Sequence, residues 1–90
     1  MPDWSFPEFE WDDANVEHIS ERHRLFPEEV EQVFHNGAYV RREGDFYYAY
    51  GQDDGGRYLC IICVVRDQLV RVVTARAMSV RERKSYERHR

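Results

Sequence analysis

A chain of 90 residues with 42% hydrophobic and 33% charged side chains suits one folded domain spanning residues 1–90, and it is too apolar to be disordered. At this length roughly 60–65% of the unfolded surface can be buried, so a core forms while stability stays modest. No apolar run reaches the ~18 residues that cross a bilayer. The opening MPDWSFPEFEW is acidic and aromatic rather than a secretory leader, so a cytoplasmic protein away from membranes is expected.

The net charge of −4 conceals a split. Residues 1–56 carry four Arg against fourteen Asp and Glu, giving −10, whereas residues 57–90 carry nine Arg or Lys against three Asp and Glu, giving +6. Such asymmetry has two explanations: an anionic partner for the basic part, or neutralisation of one half by the other in the fold.

Taken in chain order, EFEW (8–11) reads as a short strand or lead-in, with Phe9 and Trp11 alternating against Glu8 and Glu10. DDANVEHISERHR follows as a helix capped by Asp12 or Asp13, with Val16, Ile19 and His23 on one face. LFPEEVEQVFHNG is a second helix. Pro27 fits its first position, Glu28 and Glu29 suit its positive end, and Asn36-Gly37 stops it.

Strands come next: AYVRRE (38–43), then DFYYAYGQ (45–52), with Phe46, Tyr48 and Tyr50 on one face. DDGG (53–56) is a hairpin turn. RYLCIICVV (57–65) is apolar on both faces, which predicts a central strand with Ile61 and Ile62 deeply buried on opposite sides. RDQ turns the chain into LVRVVTAR (69–76), and SVRERKSYERHR (79–90) closes it as a helix, with Ser79 and Glu82 forming an S-x-x-E capping box. The fold class is α+β: two N-terminal helices packed together, an antiparallel sheet of three to four strands, and a C-terminal helix.

The two cysteines, Cys60 and Cys63, lie within the central strand. Alternation sends them to opposite faces, so they read as reduced core residues rather than a metal or redox pair. No Asp and His cluster has metal-ligand spacing, and no metal or cofactor is expected.

FEWDDANVEHISERH, PEEVEQVF, DDGGRYLCIICVV and VRVVTARAMSVRERKSYE, spanning Phe9 to Glu87, resemble the BrnT family of toxins from type II toxin–antitoxin systems. That family shows an F-E-W-D opening, an H-G end to the first helix, a G-R-x-L strand, and a closing R-(I/V)-(I/V)-(S/T)-A-R before a helix with E-R-x-x-Y. The resemblance implies a RelE-like fold and a cytoplasmic endoribonuclease that inhibits translation by cleaving RNA. It also implies a ribbon-helix-helix antitoxin as partner, with DNA contacted only through the complex, which represses its own promoter. The match points to His23, Arg57, Arg71, Arg76, Glu82 and Tyr86. Where the family carries lysines near the opening and before the histidine, this chain has Asn15 and Arg22, and Arg24 stands in the usual glycine position. An alternative is therefore a catalytically degenerate module that only pairs with its antitoxin.

RNA cleavage through the 2′-hydroxyl needs a base, cations around the phosphorane and an acid for the leaving 5′ oxygen. His23 is the proton-transfer candidate, since imidazole titrates near neutrality; the other reading is a satisfied core group. Arg57, Arg71 and Arg76 are the phosphate clamps, against surface or structural ion pairs. Strict alternation puts Arg71 and Arg76 on opposite faces unless a bulge intervenes. Arg81, Arg83, Lys84 and Tyr86 are the RNA-binding candidates, with Arg76, Arg81, Arg83 and Lys84 lining one groove beside TARAMS. Tyr86 equally suits an anchor for the last helix, and Glu82 its capping box. Phe46, Tyr48 and Tyr50 suit core or a partner surface better than an RNA platform, because Asp45, Asp53 and Asp54 flank them.

Overall fold

Each helix is started by a side chain that closes on the backbone, and those caps fix where the flanking strands begin. The computed structural model describes residues 2–89, in the order β1 (Glu8–Phe9), α1 (Asp13–His23), α2 (Pro27–His35), β2 (Tyr39–Glu43), β3 (Phe46–Gln52), β4 (Tyr58–Arg66), β5 (Leu69–Ala77) and α3 (Val80–Arg88). Asp12 caps α1 reciprocally: its carboxylate accepts the Asn15 N–H at 3.1 Å, and the Asn15 amide oxygen accepts the Asp12 N–H at 2.8 Å. In α2, Pro27 takes the first position and Glu29 reaches back to the Phe26 N–H at 2.9 Å. In α3, Ser79 and Glu82 form the expected capping box, at 3.1 and 2.9 Å.

The α1 C-terminus closes on Arg24, which takes a left-handed conformation at φ 55° while its N–H and that of Leu25 return to the carbonyls of Ser20 and Ile19. Glycine tolerates this conformation without cost, and a residue with a Cβ does not.

The sheet order is β1-β5-β4-β3-β2, so β4 is central, as its two-sided apolarity predicts. The four long strands pair antiparallel, and the short lead-in joins as a fifth, parallel to β5 through Glu8↔Leu69 and Phe9↔Val70. Both N-terminal helices lie on one face, α1 against β5 and α2 against β3. There Ile19, Leu25, Val30, Val33 and Phe34 meet Ala49, Leu59, Ile61, Cys63, Val70 and Val72. The α2–β3 approach is close enough that a Cβ on Gly51 would sit 3.0 Å from Val33 Cγ1.

α3 covers the other face with a smaller cluster of Tyr50, Cys60 and Tyr86. One nine-residue helix cannot shield that whole face, and the burial expected of Ile62 is corrected accordingly: Ile61 is fully buried, but Ile62 is only half-buried. Likewise Tyr50 is buried, Tyr48 half-buried and Phe46 exposed, so the aromatic comb is core at one end only. Cys60 and Cys63 are free, buried and on opposite faces. Burial pushes their thiols up to about 11 and about 12, which leaves both protonated and unreactive.

One irregularity bears on function. β4 and β5 pair Ile62 with Thr74 and then Cys63 with Val72, which leaves Val73 as a bulge. Arg71 and Arg76 therefore sit opposite Val64 and Cys60, two positions of the same β4 face. The bulge reverses the separation that strict alternation demands, although the two arginines remain about 13 Å apart along the strand.

Candidate functional site

The end of α1, the start of β4, the end of β5 and one side of α3 converge on a cleft of about 320 Å³. His23, Arg57, Tyr58, Met78 and Arg83 are among the residues that line it. His23 is there because it is the last residue of α1, held exposed by the turn at Arg24. Arg57 is there because the DDGG turn delivers it to the mouth of β4. The buried Asp53 carboxylate accepts from the Arg57 backbone N–H at 2.9 Å and from Nε at 2.8 Å, and Glu29 of α2 pairs with the guanidinium. Arg83 lies over the Tyr58 ring, 3.9 Å from its centre, and reaches Glu87 at 3.2 Å.

His23 has a companion that sequence reading missed. Its Nε2 lies 3.4 Å from the Thr74 hydroxyl, and Nε2 of His18 lies 3.0 Å from the same oxygen, the two rings being 5.8 Å apart. A hydroxyl has one proton to give, so at least one imidazole must donate its own Nε2 proton to Thr74. The donor and acceptor roles of the two rings are thereby linked through Thr74. His18 was hard to find because five positions along a helix put it about 140° away from His23. The bulge at Val73 immediately precedes Thr74.

Arg76 has a different task. Its two terminal nitrogens meet the two Glu82 oxygens at 2.6 and 2.8 Å, a parallel double bond of opposite charges. The Arg76 guanidinium, with the Ser79 backbone N–H, holds the Glu82 carboxyl down at about 2, and Glu82 pushes Arg76 up in turn. Its ion-pair partner is thus the capping residue of α3 rather than a carboxylate of the acidic N-terminal half. Arg71 does find that half, bonding Asp12 at 2.8 Å and Glu10 at 3.3 Å, and so ties β1 and the α1 cap to β5. The Asp12 carboxyl is lowered chiefly by the Arg71 hydrogen bond. Neither Arg71 nor Arg76 lines the His23 cleft.

The single basic groove expected beside TARAMS is corrected by helix geometry. Arg81 and Arg83, two positions apart, face opposite sides of α3. Arg83 enters the His23 cleft, whereas Arg81 enters a second cleft of about 380 Å³ with Tyr39, Arg41, Tyr50, Tyr86 and His89. Lys84 is exposed and lines neither. Tyr86 is buried against Tyr58, Tyr50 and Cys60, which makes it the anchor of α3. Glu82 caps α3 as expected.

Charge pairing between the two halves runs through Arg57, Arg66 and Arg71. Arg81, Lys84 and Arg88 on α3 have no ion-pair partner among the described residues, so the anion-partner explanation of the basic end keeps its basis there. Among the described residues no group of three or more His, Cys, Asp or Glu is placed to hold a metal, and no helix is long and apolar enough to cross a membrane.

These features define a small α+β protein with an imidazole–hydroxyl–imidazole row opening on an arginine-lined cleft. Residues 11–82 match the family model described as "Ribonuclease toxin, BrnT, of type II toxin-antitoxin system", and the chain belongs to the BrnT family of ribonuclease toxins. Membership of a type II system implies an antitoxin partner. Among solved structures, the chain is similar to the ribonuclease toxin BrnT of Brucella abortus. The identity is 19% and the TM-score 0.65, covering 81% of this chain and 97% of that one, a likeness of fold. No curated protein matches the chain.

Proposed function

We propose that the chain is a metal-independent endoribonuclease, acting in the cytoplasm to stop translation by cleaving RNA at the His23 cleft. One observation carries this reading: His23, Arg57 and Arg83, from three separate parts of the chain, line the same cleft. In the reaction His23 takes the proton of the RNA 2′-hydroxyl at Nδ1, the ring nitrogen without a protein partner among the described residues. The 2′ oxygen attacks phosphorus, the bond to the 5′ oxygen breaks, and that oxygen takes a proton from solvent water. The products are a 2′,3′-cyclic phosphate and a 5′-hydroxyl. Arg57 and Arg83 stabilise the dianionic phosphorane. Buried Asp53 keeps its hold on Arg57 Nε, whereas Glu29 and Glu87 are part-exposed and can be exchanged for phosphate. Arg76 and Arg71 act at a distance, setting α3 and β1 in place.

A ribbon-helix-helix antitoxin neutralises the toxin by covering this cleft, and DNA is contacted only through that complex. The test is incubation of purified protein with mixed-sequence RNA in EDTA. Fragments ending in 2′,3′-cyclic phosphate are expected, and loss of cleavage in His23→Ala and in Arg57→Ala. Protein that leaves all RNA intact while still binding its antitoxin supports the degenerate module instead, a reading favoured by the absence of any lysine besides Lys84. Growth arrest on expression without antitoxin separates the two in the cell.

A further inference from the structure

The cleft on the far side of α3 is not used by this chemistry, yet its lining is ordered. Arg81, Ser85 and His89 recur every fourth residue and so form one row along α3, facing Tyr39 and Arg41, two residues apart on the same face of β2. Tyr39 stacks on His89 with ring centres 4.4 Å apart and planes 13° from parallel, and its ring centre lies 6.4 Å from that of Tyr50. Nδ1 of His89 donates to the Ser85 carbonyl at 2.8 Å, which fixes the ring and leaves Nε2 without a partner among the described residues, able to bond a ligand. Charge in the cleft is uneven. Glu82 also lines it, but both its oxygens are taken by Arg76. Arg41 has only the exposed Glu43 of its own strand, at 3.2 Å, and Arg81 has no acidic partner among the described residues.

The geometry points to a nucleotide-holding subsite for single-stranded RNA: a base lies against the Tyr39–His89 stack while Arg41 and Arg81 take its phosphate. The assignment of RNA as ligand rests on the reading of the chain as a ribonuclease. The chemistry of the cleft supplies the rest. Rings stack on any base, guanidinium pairs suit phosphate, and about 380 Å³ falls in the range of small-ligand sites. An acidic peptide would satisfy the arginines but give the ring column nothing to do. An RNA strand crossing α3 is then gripped on both sides of the helix, with the scissile phosphate at His23 and a neighbouring nucleotide at Tyr39.

The experiment uses the full chain carrying His23→Ala, so that binding is read without cleavage, and follows backbone amide shifts by NMR during titration. The probes are adenosine 5′-monophosphate, inorganic phosphate and hexaglutamate. Shifts centred on Tyr39, Arg81 and His89 are expected, with the nucleotide about tenfold tighter than phosphate because of base stacking. Tyr39→Ala removes that preference and keeps phosphate binding, whereas Arg81→Glu weakens both ligands. Shifts confined to the His23 cleft, a nucleotide no tighter than phosphate, or hexaglutamate binding as well as the nucleotide would each overturn the subsite. Cleavage assays on the protein with an intact His23 report separately. A chain that binds nucleotide at Tyr39 but never cuts RNA retains the subsite and loses the ribonuclease. One that cuts RNA yet shows no shift at Tyr39 retains the ribonuclease and loses the subsite.

Discussion

Arg76 and Glu82 face one another through two parallel bonds, and the same Glu82 carboxylate closes the α3 capping box on Ser79. A single side chain thus fastens the last strand to the last helix and starts that helix. Replacing Glu82 with Ala removes both contacts and is expected to lower stability by about 1–2 kcal/mol, the combined scale of a cap and a part-exposed ion pair. Acid should have the same effect. The Glu82 carboxyl is held at about 2 in the folded chain against an ordinary 4.5. A lowered acid contributes its full stability above the unfolded value and loses it as pH falls through the window from 4.5 to 2. Urea midpoints of wild type and Glu82→Gln, compared across pH, should differ most above 4.5 and converge towards 2. A constant gap would contradict the assignment.

Arg24 occupies a left-handed position with a side chain that makes no bond among the described residues. Arg24→Gly relieves the Cβ clash and is expected to stabilise the fold by about 0.5–1 kcal/mol, a rise of several degrees in Tm for a domain this small. Thermal unfolding by circular dichroism checks it, and an unchanged or lower Tm would mean that Arg24 contributes something the geometry does not show.

Ile61 and Ile62 are neighbours in β4 with unequal surroundings, one beneath two helices and one at the margin of α3. Ile61→Ala should cost about 2–5 kcal/mol and Ile62→Ala about 1, because a part-exposed side chain leaves no sealed cavity behind. Equal shifts in denaturant midpoint would show that the α3 face is better covered than its exposure indicates.

The sequence made the elements legible because their signals are local: S-x-x-E before α3, Pro27 at the head of α2, and a strand apolar on both sides for the centre of the sheet. What stayed hidden depends on register and partner choice. Nothing in LVRVVTAR says that Val73 drops out of the ladder, and without that bulge Arg71 and Arg76 point to opposite faces. Arg71 finds Asp12 across 59 positions of chain, a tertiary choice among many carboxylates. His23 and Arg57 were visible through the family-like motifs, whereas His18 lies off His23's helical face and becomes visible only once Thr74 is seen between them. The division of Arg81 from Arg83 was readable in principle, since two steps on a helix nearly reverse direction; the run of basic residues suggested one groove where the helix makes two.

The His18–Thr74–His23 row gives the sharpest chemical test. If the Thr74 hydroxyl sets which nitrogen of His23 carries the proton, removing it while keeping the shape should slow proton transfer without loosening RNA. Thr74→Val is close to isosteric and forfeits the two contacts at 3.0 and 3.4 Å, at a stability cost of about 1 kcal/mol. Its kcat is expected to fall about 10- to 100-fold, part of the range that a positioned acid or base supplies, while KM stays within about twofold because Arg57 and Arg83 still hold the phosphate. Thr74→Ser restores the hydroxyl and should recover most of the rate; a purely structural role for the Thr74 methyl would leave Ser as poor as Val. His18→Phe keeps a ring in place but cannot exchange a proton with Thr74, and it should slow cleavage in the same sense with RNA affinity retained. The decisive measurement is single-turnover cleavage of a short RNA by the three variants alongside wild type. Wild-type rates in Thr74→Val would show that His23 acts without this row, and a raised KM at unchanged kcat would move Thr74 from proton transfer to substrate binding.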